Sequence, residues 1–310
     1  VSDSHRSRAY AFTAYGGPEV EALVQRPVPS PGDGQLLIAV RAAGVNPADW
    51  KIREGWLSEA IPRSFPAVFG IEVAGVVEGV GPGGDGYAVG DEVFGRTLAL
   101  GSFADHALLP VSTSARKPAG VSFVNAASLT IAAGTAYEGL RQLDVREGET
   151  LLVNGVGGGL GVAAAQLGRL AGATVIGIAS RAKAPFVESL GVAHVSYEDD
   201  PVRGVLTLAP NGVDAIFDMV GAGTMAGIST TLGLGGRTIT AAADETPAGA
   251  GIAGVRPSRD LPAVLRELAD LVEKGSLDPK VTDTFPLERA GTALRLVEGR
   301  HVTGKIALEP

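Results

Sequence analysis

Residues 150–177, TLLVNGVGGGLGVAAAQLGRLAGATVIG, hold the clearest chemistry in the chain. An apolar run enters a glycine cluster, small residues follow, and a second apolar run closes the segment. Strand, glycine turn, helix and strand in that order make a cradle for a dinucleotide pyrophosphate. Glycines let the backbone approach the anion without a Cβ, and the N–H groups that open a helix bind it with the helix dipole behind them. The spacing is Gly155-x-x-Gly158-x-x-Gly161, which departs from G-x-G-x-x-G because Val156 stands five positions before Gly161. The helix is expected to open at Leu160, with Gly161 and Ala163, Ala164 and Ala165 small enough to pack it close to the sheet.

The second apolar run ends Ile178-Ala179-Ser180-Arg181-Ala182-Lys183. A carboxylate at this strand end would accept the ribose hydroxyls of NAD and repel a 2′-phosphate. Here there is none. A hydroxyl and two cations can donate hydrogen bonds to that phosphate, so the pattern favours NADP(H). The alternative is that Arg181 and Lys183 are solvated charges at a helix start.

The remaining polar candidates are weaker. His106 follows Asp105, but the pair falls in a strand and the turn before it, which reads as structural. His5, His194 and His301 lack metal-ligand spacing. Ser128 and Ser180 have no G-x-S-x-G context.

Two kinds of chain surround these residues. The first third reads as strands at 35–41, 71–80, 91–94 and 103–109, with a glycine-rich surface loop at 79–90, which suggests an antiparallel, barrel-like module. Residues 1–8 read as a loose tail. From about residue 122 the pattern becomes helical (126–143) and then alternates. Strands are expected at 150–154, 174–179, 194–197, 213–220 and 237–241, with helices at 160–171 and 184–190. Alternation of this kind makes a parallel sheet covered by helices. An amphipathic helix at 260–273, a helix at 285–296 and a strand at 305–308 complete the chain.

Length and composition agree. At 310 residues the chain has room for about two domains. No Cys is present, which excludes a disulfide scaffold, a thiolate metal site and a cysteine nucleophile. A net charge of −8 and 5% aromatic residues argue against a nucleic-acid partner. No apolar run is long enough to span a membrane, and no targeting segment is evident, so a soluble, cytoplasmic protein is expected.

The chain resembles the medium-chain dehydrogenase/reductase superfamily, within it the zinc-free, NADPH-dependent quinone oxidoreductases of the zeta-crystallin-like branch. The resemblance runs from about residue 9 to 308. It rests on GVNPADW at 44–50, FPAVFGIEVAGVV at 65–77, VGDEVFG at 89–95, GSFADH at 101–106, GTAY at 134–137, the glycine loop, FDMVG at 217–221 and TGKIAL at 303–308. It implies an α/β protein: a GroES-like β-barrel catalytic domain over 1–122, a Rossmann doubly wound parallel-sheet coenzyme domain over 123–264, and a segment 265–310 returning to the catalytic domain. It further implies an active-site cleft between domains and a homodimer or homotetramer built on the coenzyme domains.

Zinc-dependent relatives carry a Cys in G-x-C-x-x-D and a His in G-H-E. Here Asn46 and Ile71 stand in those places, so no tetrahedral N/S zinc site is expected. Without a Lewis acid the chemistry shifts toward acceptors that take hydride readily.

By resemblance, Asn46 and Thr135 face the nicotinamide. Gly155, Gly158, Gly159, Leu160 and Gly161 hold the pyrophosphate, and Ser180, Lys183 and Tyr197 surround the 2′-phosphate. Val220, Gly221 and Ala241 border the nicotinamide side. Arg181 joins the phosphate set on charge and position alone.

Asn46, Asp49 and Lys51 are the candidate catalytic residues. Lys51 stands where relatives often have a tyrosine, as does Trp56, so no tyrosine of this segment can serve as proton donor. Lys51 would bind the carbonyl or enolate oxygen or an acidic group of the substrate, bind the cofactor phosphates, or lie solvated. Asp49 would act in the cleft or order its loop. Lys305 would reach the cofactor or face solvent.

The expected activity is hydride transfer from NADPH to a small-molecule quinone or α,β-unsaturated carbonyl. The alternatives are an enoyl reductase of a biosynthetic pathway and a low-turnover NADPH-binding or sensing protein.

Overall fold

Strand β1 (Arg6–Phe12) alternates small buried residues with half-exposed ones, so Ala9, Ala11 and Phe12 lie on the core side. It pairs antiparallel with β2 (Glu21–Pro27) from Arg6↔Pro27 to Phe12↔Glu21. Residues 6–8, expected in a loose tail, are therefore strand. Their polar side chains hide the pairing from a local reading, and Arg8 is fixed from outside by Asp105 at 2.8 Å. The structure is a computed structural model and describes residues 6–56, 58–59, 62–98, 100–221, 237–242 and 252–310.

The long strand β3 (Gln35–Val45) leads into a short helix, α1 (Pro47–Arg53). Strands β4 (Ala67–Val68), β5 (Glu72–Val80), β6 (Glu92–Arg96), β7 (His106–Pro110) and β8 (Ser114–Arg116) follow, then α2 (Phe123–Ala127). β3 pairs antiparallel with both β5 and β7, and β5 with β6. Alternation sends Leu36, Ile38 and Val40 of β3 to one face, where they meet Val73, Val77, Val93 and Leu109.

The helix expected at 126–143 is broken into three pieces. α2 ends at Ala127, residues 129–133 form one π-helical turn, and α3 (Gly134–Leu143) follows. Composition favours helix throughout, but it does not fix the hydrogen-bond register, which changes at this turn.

In the second part of the chain β9 (Thr150–Asn154), α4 (Gly159–Leu170), β10 (Thr174–Ala179), α5 (Ala184–Ser189), β11 (Ala193–Ser196), α6 (Pro201–Leu208), β12 (Ala215–Asp218), β13 (Thr238–Thr240) and β14 (Ala253–Gly254) alternate. Among the described residues the strands form one parallel sheet in the order β11-β10-β9-β12-β13-β14. The strand order reverses between β9 and β12, the switch point where doubly wound sheets open a crevice at their carboxyl ends. Close packing needs missing side chains. A Cβ on Gly161 would stand 2.3 Å from the Gly155 carbonyl oxygen, and one on Gly139 of α3 would stand 2.2 Å from the Phe217 ring.

The chain then adds α7 (Leu261–Glu273), β15 (Val281–Pro286), α8 (Ala290–Glu298) and β16 (Lys305–Glu309). The helix expected at 285–296 begins only at Ala290. Pro286 favours an extended Phe285 within β15, which runs on to Pro286, and a single 3-10 turn precedes the helix. β16 pairs antiparallel with β3, which places the last strand in the sheet of β3, β5, β6 and β8.

Two compact units result. The first comprises Val1–Ile131, Asp260–Gly275 and Val281–Pro310, and the second Ala132–Arg259 with Ser276–Lys280. Residues 123–131 and 260–264, expected with the coenzyme domain, lie in the first unit, and residues 276–280, expected with the returning segment, lie in the second.

Candidate active site

In the second unit the glycine loop leaves β9 through Gly155, whose φ of +85° suits glycine. The backbone N–H groups of Gly155 and Val156 both donate to the Ile178 carbonyl, which ties the loop to β10. Helix α4 opens at Gly159 with Gly158 as its N-cap. No side chain caps it and no acid stands in its first turn. Its first N–H groups are therefore available to an anion. Gly158, Gly159 and Leu160 are half-buried, and Gly161 is buried against the loop backbone.

The phosphate candidates gather at neighbouring strand ends. Ala179 of β10 stands level with Ser196 of β11, so Ser180 and Tyr197 follow side by side. Tyr197 is exposed. Lys183 lies across the glycine loop, since a Cβ on Gly157 would meet its Cδ at 2.6 Å, and burial lowers its pKa. Arg181 is exposed and held by Asp199 at 2.8 Å.

Across the switch point, Val220 touches the loop: a Cβ on Gly155 would stand 3.1 Å from Val220 Cγ2. Sequence reasoning passed over the residue that builds this edge. The buried Asp218 carboxylate accepts from Asn154 Nδ2 (2.8 Å), the N–H groups of Val220 and Gly221 (3.0 Å each) and Thr240 Oγ1 (3.1 Å). Its carbonyl accepts from Ala241 N–H at 2.8 Å. One side chain thus sets the ends of β9, β12 and β13. An acid inside the apolar run AIFDMV was the available signal. Thr135 lies half-buried in the first turn of α3.

The first unit assembles a different cluster. Asn46 ends β3 as the N-cap of α1, with Pro47 opening the helix. Asp49 reaches back to accept the Asn46 N–H at 2.8 Å. Burial pushes the Asp49 carboxyl up to about 7. The Asn46 N–H and the nearby Lys305 charge oppose that rise, and Glu72 adds to it.

Lys305 does not face solvent. It is buried, and it donates to Glu72 Oε1 (2.5 Å), Asn46 Oδ1 (2.8 Å) and the Val45 carbonyl (3.2 Å). Glu72, absent from the candidates, also accepts from Asn46 Nδ2 at 2.9 Å and from Ile131 N–H at 2.8 Å. Lys51 lies 4.9 Å from the centre of the half-exposed Trp56 ring and 5.8 Å from that of Trp50, a cation–π arrangement.

Asp105, beside His106, accepts from the Arg8 backbone N–H and guanidinium and so anchors β1. A groove of about 420 Å³ on the first unit, walled by Arg26, Arg63, Leu98 and Leu100, holds none of the candidate residues.

Known proteins are similar to this chain over most of its length. Residues 32–119 match the alcohol dehydrogenase GroES-like domain, and residues 190–308 the zinc-binding dehydrogenase family. The human quinone oxidoreductase is 30% identical, with 97% of each chain covered. The chain belongs to the medium-chain dehydrogenase/reductase superfamily, in its quinone oxidoreductase branch. A chloroplastic NADPH-dependent alkenal/one oxidoreductase of Arabidopsis thaliana is 32% identical over 98% of this chain and 79% of that protein. Among solved structures, one of an NAD-dependent alcohol dehydrogenase superposes with a TM-score of 0.88 at 32% identity, covering 98% of this chain and 99% of the other.

The family's two expected ligands fare differently. The glycine cradle and the bare tip of α4 fit a dinucleotide. Zinc does not fit. The chain has no cysteine, Ile71 offers no donor atom, and the Asn46 amide is engaged by Glu72 and by an ammonium that would repel a second cation. Among the described residues no helix is long and apolar enough to cross a membrane.

Proposed function

We propose that this chain is an NADPH-dependent, zinc-independent reductase of quinones or α,β-unsaturated carbonyls. The observation that carries the reading is the convergence of an uncapped helix tip with Ser180, Arg181, Lys183 and Tyr197 at adjacent strand ends. The names of the human and Arabidopsis relatives support the substrate class.

NADPH, when bound, supplies a hydride to the acceptor carbon. The chain binds and orients. The N–H groups that open α4 hold the pyrophosphate, Ser180, Arg181, Lys183 and Tyr197 hold the additional phosphate, and Val220, Gly221 and Ala241 border the nicotinamide. Asn46 and Thr135 take the nicotinamide-facing roles that the family resemblance assigns to them. Asp49 orders the start of α1 through the Asn46 N–H, and the Lys51 ammonium steadies oxyanion charge on an enone substrate. Solvent water returns the proton. The same reading carries a cytoplasmic homodimer or homotetramer joined through the coenzyme units, which sedimentation tests.

The test is NADPH oxidation followed against a quinone panel and an enone panel, with NADH as control. Turnover with NADPH preferred by about tenfold or more is expected. Tight NADPH binding with no oxidation favours the binding or sensing protein. Turnover of enones alone favours an enoyl reductase of a biosynthetic pathway. Equal use of NADH refutes the phosphate assignment.

A further inference from the structure

The amide of Asn46 sits between two opposite charges. Its Oδ1 accepts from Lys305 Nζ at 2.8 Å and its Nδ2 donates to Glu72 Oε1 at 2.9 Å, while Lys305 and Glu72 pair at 2.5 Å. Turning the amide over would set NH2 against an ammonium and a carbonyl oxygen against a carboxylate, so the network permits one orientation. All of this is buried: Asn46 is 3% exposed, Lys305 5% and Glu72 0%. Glu72 is fixed in turn by the Ile131 N–H, and the absence of a side chain on Gly44 leaves room for it, since a Cβ there would stand 2.2 Å from Glu72 Oε1. The three N–H bonds of the ammonium are matched by Val45 O, Asn46 Oδ1 and Glu72 Oε1, which leaves none for a cofactor phosphate.

We propose that Lys305 and Glu72 are positioning residues that together lock the Asn46 amide, and that Lys305 is not a cofactor ligand. The proposal deepens the reductase reading, on which the catalytic consequence of the lock rests. It assigns Lys305 a role different from the one expected of it by sequence.

The test compares Lys305→Met, Glu72→Gln and the double variant with the wild type. Thermal stability, NADPH Kd by fluorescence titration, and kcat and KM for a quinone are measured for each. Each single variant is expected to lower kcat by up to about 100-fold through misplacement of Asn46. NADPH Kd stays within about threefold. The double variant removes both charges and regains stability, yet kcat stays low because Asn46 Oδ1 has lost its donor and no pair of opposite charges fixes the amide.

Recovery of kcat together with stability in the double variant would reduce the pair to a structural role and overturn the proposal. So would Lys305→Met weakening NADPH about tenfold or more with kcat unchanged. A wild type that turns over no acceptor defeats the reductase reading alone. The lock is then read by NMR of the wild type: a slowly exchanging, shifted Asn46 side-chain amide pair supports it, and a rapidly exchanging, averaged pair overturns it.

Discussion

Glu72 and Lys305, 233 positions apart in the chain, meet as an ion pair with side chains 0% and 5% exposed. Glu72 opens β5 and Lys305 opens β16, and both strands flank β3, which ends beside Asn46. The pair closes the sheet of β3, β5 and β16 around the N-cap residue of α1. A buried pair of this kind contributes little net stability, but removing one member strands the other charge.

Breaking the pair therefore has a clear signature in urea unfolding. Lys305→Met or Glu72→Gln alone is expected to cost about 3–5 kcal/mol, and the double variant to recover most of that loss. Equal losses in the single and double variants would show that packing, not charge, dominates at this position.

Asp49 gives the first unit a pH dependence of opposite sign to that of a salt-bridged acid. Its folded pKa of about 7 lies above the ordinary 3.8, so the folded state binds the proton more tightly. Stability from this group is complete below the ordinary value, falls as pH rises through about 7, and levels off above it. The full fall is at most about 4 kcal/mol. Asp49→Asn keeps an acceptor for the Asn46 N–H and should flatten the decline between those values. Unfolding curves at pH 4 to 8 measure it, and an unchanged slope would refute the assignment.

Gly161 is required by the close approach of α4 to the loop, not by backbone freedom. Gly161→Ala would put a Cβ 2.3 Å from the Gly155 carbonyl oxygen and 2.6 Å from Val156 Cα, both backbone. The helix must shift, at a cost of about 1–3 kcal/mol. NADPH affinity, measured by calorimetry, should fall by about tenfold or more as the N–H groups leave their places.

Lys183 and Arg181 should separate in a cofactor-preference experiment. Lys183 covers the glycine loop, whereas Arg181 is exposed and paired with Asp199. Lys183→Ala is expected to weaken NADPH about tenfold, equivalent to ~1.4 kcal/mol, with NADH little changed. Arg181→Ala should do less. Equal losses for NADPH and NADH would move Lys183 from the additional phosphate to the pyrophosphate.

The parallel-sheet half of this protein was readable from its residues because its determinants are local. Strands 150–154 and 174–179 fall where apolar runs place them, and the glycines between lie where a turn and a close helix demand them. Neighbours along the chain fix such features, and alternation alone dictates a parallel sheet. Tertiary structure decided what depends on distant partners. Strand β1 exists because Ala9, Ala11 and Phe12 find a core and Arg8 finds Asp105; its first three residues are all polar. The π-helical turn at 129–133 and the late start of α8 reflect registers that composition does not encode. Above all, nothing near Lys305 in sequence reveals that its charge is buried against Glu72 and Asn46. A lysine after a glycine reads as reaching a cofactor or solvent until a strand from the other end of the chain removes the water around it.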